Sequence, residues 1–161
     1  MVYLAKDEAL ASAFPAGTTV EKRTVFLTDG QVGQLKSLGV ELESKMFTYY
    51  RGLRGSELVG YAVIDSHTVR TLPEAFMAVL RPDGVIDRVV MLAFYEPAEY
   101  APREGWLTQF KGRKAGEGFR VGRDVHGITG ATLTANAIAV GLRKITALYG
   151  LVMRSDSGGT P

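Results

Sequence analysis

Asp124-Val125-His126-Gly127-Ile128-Thr129-Gly130-Ala131-Thr132-Leu133-Thr134-Ala135-Asn136 carries a polar, glycine-bearing loop directly into a long helical pattern. Ile138, Leu142, Ile145 and Tyr149 follow at spacings of four, three and four, and Ala131 and Ala135 extend the same face backwards. That is one apolar stripe of a 3.6-residue period. Gly150 follows the last periodic residue, so the helix is expected to stop there, with Arg143 and Lys144 toward its C-terminal half. Its N-terminal end holds Thr129, Gly130, Thr132 and Thr134, where the first backbone N–H groups have no partner within the helix. Two readings of that end stand side by side. In one, Thr129 is an N-cap and Gly130 permits the turn. In the other, free N–H groups, a positive dipole end, a glycine and several hydroxyls form an anion site suited to a phosphate.

The rest of the chain alternates differently. Lys6 to Phe14 reads as a short helix with Leu4, Ala9 or Leu10, and Ala13 inward. Val20 to Leu27 reads as a strand, and Asp29 caps a helix over Gly30 to Leu38. Lys45 to Leu53 and Glu57 to Asp65 form a hairpin around Arg54-Gly55-Ser56. Thr71 to Leu80 and Val85 to Phe94 form a second around Pro82-Asp83-Gly84, a turn in which each residue has a physical role. Glu104 to Lys111 suggests a short helix, and Gly112 to Gly122 a basic, glycine-rich loop. The element order predicts an α+β fold: a twisted antiparallel sheet of about four to six strands, with the long C-terminal helix packed across one face.

With 161 residues the chain is expected to form one domain, 1–154, followed by a disordered tail, 155–161. A formal charge of +2, from 19 basic and 17 acidic residues, leaves no electrostatic footprint for nucleic acid. The absence of cysteine excludes disulfides, thiolate nucleophiles, iron–sulfur clusters and Cys-zinc sites, and two histidines, His67 and His126, make no histidine-rich metal centre. No signal peptide or membrane span is visible, because Lys6, Asp7 and Glu8 introduce charge at once. No Gly-x-Gly-x-x-Gly turn follows a strand, so a dinucleotide site of that kind is not expected.

Thr129-Gly130-Ala131-Thr132-Leu133-Thr134 at the mouth of a helix resembles the signature of the FMN-binding domain family. That family includes the flavinylated subunits of Nqr- and Rnf-type electron-transport complexes. The resemblance extends, in order, through Phe14-Pro15, Phe26-Leu27-Thr28, Gly60-Tyr61-Ala62-Val63, His67-Thr68-Val69-Arg70, Phe94-Tyr95-Glu96-Pro97 with Tyr100, and Trp106 with Gln109-Phe110. The family pattern reads Asp-x-x-(Ser/Thr)-Gly-Ala-(Thr/Ser), and here its Asp position falls on His126. The resemblance implies FMN as cofactor, its phosphate at the N-terminus of the C-terminal helix. In members with covalent flavin, a flavin transferase joins FMN to the last threonine as a phosphoester, which here would be Thr132. It also implies a carrier within a membrane-associated redox chain, partnered by a redox protein or a quinone or membrane complex. The expected location is extracytoplasmic, with the signal segment absent from this chain; a cytosolic protein is the alternative.

The implied cofactor-binding set is Thr129, Gly130, Ala131, Thr132, Leu133 and Thr134, joined by Arg70, Thr68, Glu96, Pro97 and Trp106. FMN needs a phosphate anchor, a flat wall for its ring and polar groups that set its potential. The wall is a choice among Tyr95, Tyr100, Trp106 and Phe110, with core packing as the plain alternative for each. Arg70 would fork onto the phosphate or lie on the surface, and His67 is either a proton relay or a satisfied loop histidine. Lys111, Arg113, Lys114, Arg120 and Arg123 form a solvated loop, lie near the phosphate, or steer an acidic partner. Two other functions fit the same residues: a flavin-dependent reductase of a small substrate, and a flavin-free binding module of the same fold.

Overall fold

The computed structural model describes residues 4–69, 72–95 and 101–156. Five strands form one open antiparallel sheet in chain order: β1 (Thr19–Phe26), β2 (Met46–Arg54), β3 (Glu57–Val69), β4 (Leu72–Leu80) and β5 (Ile86–Phe94). Four helices accompany them: α1 (Lys6–Ala13), α2 (Asp29–Ser37), α3 (Glu104–Leu107) and α4 (Thr132–Leu148). The expected α+β architecture is therefore present, with α4 across one face.

Alternation sorts each strand between two cores. Tyr61 and Val63 of β3, Phe76, Ala78 and Leu80 of β4, and Met91 of β5 meet Ile138, Leu142 and Ile145 of α4. Each of those three helix residues is fully buried, worth roughly 1.5–3 kcal/mol apiece. The intervening residues Ala62, Met77 and Val79 face the other way, onto Ala9, Leu10 and Ala13 of α1. A third cluster joins Leu27 and Leu35 to Leu148 and Val152. Among the described residues no helix is long and apolar enough to cross a membrane.

Four details differ from the sequence expectation. Thr28, not Asp29, caps α2, and it does so in a capping box: its hydroxyl accepts the Gln31 N–H while the Gln31 side chain accepts the Thr28 N–H. The expected helix over 104–111 is one α-turn followed by a 3₁₀ turn, Thr108–Phe110. Gly150 does not stop α4, which continues as a π-helical turn, Tyr149–Met153. Burial of Val152 and Met153 favours that continuation over a stop. The expected tail overlaps bonded structure at its first residues: Asp156 accepts Arg23 at 3.0 Å and the Tyr49 hydroxyl, tying the end of the fold to β1 and β2. Residues 157–161 lie outside the described residues.

The turn between β4 and β5 fixes the far end of α4. Gly84 adopts φ +85, a conformation open to glycine at little cost. The Tyr149 ring lies so close that a Cβ on Gly84 would come within 2.2 Å of it, and the Tyr149 hydroxyl donates to the Pro82 carbonyl at 2.7 Å.

Candidate functional site

The loop that delivers α4 is held by hydrogen bonds to its own backbone. The Asp124 carboxylate accepts the Arg120 N–H at 2.9 Å. Arg113 reaches three carbonyls, of Asp124 at 2.8 Å, Gly118 at 3.1 Å and Gln109 at 3.3 Å. Gln109 grips the His126 backbone from both sides, accepting its N–H at 2.7 Å and donating to its carbonyl at 3.2 Å. Trp106 donates its indole N–H to the same carbonyl at 2.7 Å. His126 is thus placed by its main chain, and its side chain is exposed.

From that anchor the chain turns into the helix. Ala131 donates to the Ile128 carbonyl at 2.9 Å, closing a turn in which Gly130 stands at φ +77. The first helical bond runs from the Ala135 N–H to the Ala131 carbonyl at 3.1 Å. The N–H groups of Thr132, Leu133 and Thr134 precede it, and among the described residues no side chain caps them. Thr129 is therefore not the N-cap: Ala131 occupies that position, and Thr129 lies exposed in the turn. Gly130, Thr132 and Leu133 are also exposed, whereas Ala131 and Thr134 are buried. An uncapped helix start with an exposed hydroxyl and a glycine turn suits a phosphate, in donor chemistry and in dipole sign.

The remaining site residues are distributed as follows. Trp106 is half-buried, edge-on to Phe110 at 5.1 Å, under the loop that it anchors. Phe110 is fully buried and stacked on Phe119, so it is core and presents no wall to a ligand. Tyr95 is 44% exposed. Thr68 lies near the end of β3, exposed, and lines a groove described below. Arg70, Glu96, Pro97 and Tyr100 fall outside the described residues. Of the basic loop, Arg113 is structural, while Lys111, Lys114, Arg120 and Arg123 are exposed.

The sequence reading missed a polar ladder under α4. His67 contacts Glu74 of β4 through Nε2 and lies 3.6 Å from Asp65 through Nδ1. Lys144 of α4 donates to Asp65 at 2.7 Å. Burial pulls the imidazole pKa down, but hydrogen bonds and charge from Asp65 and Glu74 outweigh it and raise the value to about 9. His67 is therefore an imidazolium at neutral pH, on a strand rather than a loop, and satisfied by two carboxylates. Burial acts to raise Asp65, yet His67 and Lys144 hold it below the usual carboxylate range. Glu74 is 2% exposed, and its second oxygen has no hydrogen-bond partner among the described residues. Two sequence signals pointed here: Asp65 and His67 share a strand face, and Glu74 is the one charge within Leu72–Leu80.

A groove of about 730 Å³ lies beside this ladder. Met46 to Thr48 form one wall, Val63 to Thr68 the other, and Asn136, Val140 and Lys144 of α4 line it from above.

No family profile matches the sequence, and no curated protein matches it. Among solved structures, the fold is similar to that of NqrC from Shewanella oneidensis, known from its crystal structure. The two share 14% identity and a TM-score of 0.51, over 78% of this chain and 77% of that one.

Proposed function

We propose that this chain is a flavin-binding electron-transfer module that holds FMN by its phosphate at the N-terminus of α4. The observation that carries the reading is the helix start itself. Three successive N–H groups have no side-chain cap among the described residues, and the Thr132 hydroxyl and the Gly130 turn are exposed beside them. The fold likeness to NqrC supports it from backbone shape, and the Thr-Gly-Ala-Thr resemblance supports it from sequence.

Bound FMN would supply the one- and two-electron chemistry, which no side chain here provides. The chain's own contribution is binding and orientation. The N–H groups of Thr132, Leu133 and Thr134 would donate to phosphate oxygens, and Gly130 would let them approach. Thr132 would be the residue esterified by a flavin transferase. Trp106, Gln109 and Arg113 keep the loop fixed, so the helix start is pre-organised rather than assembled on binding. Exposed Lys114, Arg120 and Arg123 would steer an acidic redox partner, in keeping with a place beside a membrane redox complex on the extracytoplasmic side.

Protein from its native host, denatured and separated from small molecules, tests the reading by intact mass and visible spectrum. Flavin that stays with the unfolded chain supports the phosphoester, and flavin that separates supports a non-covalent site. A chain that neither carries flavin nor binds added FMN would overturn the proposal.

A further inference from the structure

The sheet is split along one seam. Pairing between β2 and β3 ends at Tyr50 and Ala62. Beyond it, Met46 to Tyr49 pair only with β1, and Val63 to Val69 pair only with β4. The β3 edge that faces β2 from Val63 onward therefore presents backbone N–H and C=O groups with no strand partner among the described residues. Such groups are strong hydrogen-bonding sites that folded proteins rarely leave unmatched.

The groove occupies this split. Its volume of about 730 Å³ falls within the range typical of small-molecule sites, roughly 300–1,000 Å³. Its walls combine apolar surface from Met46, Phe47 and Val140 with a polar side formed by His67, Asp65 and Lys144. α4 connects it to the phosphate site. Leu133, Ala137 and Val140 recur at spacings of four and three along one helix stripe, and Lys144 follows four residues on, at the groove. Leu133 is 52% exposed and Val140 67% exposed. This second apolar stripe is turned away from the core and runs from the uncapped first turn to the groove.

We infer that the β2–β3 split is the seat of the flavin's planar ring. This rests on the FMN reading above. The ring faces would lie against Val140 and Phe47, and its hydrogen-bonding edge would read the open backbone edge of β3. His67 and Lys144, each held by a carboxylate, would supply N–H donors at the polar side. A small planar molecule suits this space better than an extended peptide adding to β3, because α4 and residues 39–44 also line the groove and leave no clear course for a continuing strand.

The test uses the full chain with FMN and with riboflavin, which lacks the phosphate, measured by flavin fluorescence. Val140→Trp fills the groove from an exposed helix position, and Gly130→Val obstructs the phosphate turn. The expected result is that Val140→Trp weakens both ligands by about tenfold or more with an unchanged melting temperature. Gly130→Val should weaken FMN and leave riboflavin nearly unaffected. If Gly130→Val removes FMN binding and Val140→Trp leaves both affinities unchanged, the ring lies elsewhere: the inference is overturned and the FMN reading stands. If the unaltered chain binds neither ligand, both fall. Lys144→Met gives an independent readout, since loss of the Lys144 N–H donor, which also frees the Asp65 carboxylate beside the ring, should shift the bound flavin's absorption bands. Bands identical to those of the unaltered complex would count against this placement.

Discussion

Glu74 is a carboxylate in a strand made otherwise of apolar residues, and His67 explains how it is tolerated. A buried charge is costly unless it is paired, and the imidazolium supplies the pair. The consequence is a pH dependence of definite sign. The His67 pKa is raised from its ordinary 6.5 to about 9. Its contribution is therefore complete below 6.5 and is lost as pH rises through 9. Urea unfolding at about pH 6 and about pH 9.5 should show a loss on the order of 2 kcal/mol, and His67→Gln should flatten that slope. Equal slopes in the two proteins would remove the pair from the stability argument. Thr132 makes a separate prediction: Thr132→Val should abolish any covalent flavin while the circular dichroism spectrum stays unchanged. Retained covalent flavin would mean another residue carries it. The two residues also mark how far the sequence could be read. Thr132 sits in a local motif, so its exposure at a helix start was legible. The His67–Glu74 pair is made by strand register, which no local pattern specifies.

Among the elements, α4 was the most legible because its apolar stripe repeats over several turns. Its ends were not. Thr129 appears a better cap than Ala131 by residue type, but the Ile128–Ala131 turn places the hydroxyl outside. Gly150 appears a stop, but burial of Val152 and Met153 carries the helix past it. The Thr28–Gln31 capping box was present in the sequence, and only the choice of Asp29 was wrong. The meander was legible from its turns, whereas the β2–β3 split was not, since where pairing between two strands stops is set by register and not by local residue type. Two substitutions probe how α4 seats on the sheet. A Cβ on Gly141 would lie 2.6 Å from the Asp65 carboxylate and 2.9 Å from the Phe76 ring. Gly141→Ala should destabilise by about 1–3 kcal/mol despite alanine's higher helix propensity. Leu142 is fully buried, and Leu142→Ala should cost about 2–5 kcal/mol. Denaturant midpoints measure both, and a stabilised Gly141→Ala would mean the helix sits further from the sheet.

At the scale of the whole molecule, the FMN reading predicts coupling between ligand and fold. A ligand held by α4 and the sheet together stabilises the native state by an amount set by its concentration and dissociation constant, about 2.7 kcal/mol at a hundredfold excess over that constant. The melting temperature should therefore climb with added FMN and respond less to riboflavin. The single tryptophan, Trp106, bonds to the loop that leads into α4, so its emission should be quenched in step. A melting temperature indifferent to FMN would argue against binding to the native state.

The sheet order β1-β2-β3-β4-β5 follows the chain without a crossover. Every strand pair is thus formed between neighbours in sequence, and such short-range closure favours rapid assembly. The face under Ile138, Leu142 and Ile145 is different, because its cover is the last long element to be made. On the ribosome, the growing sheet would display Tyr61, Phe76 and Leu80 to water until α4 emerges. That interval is when the chain would most need a chaperone, and a nascent chain halted before α4 should be captured by one far more readily than the finished protein.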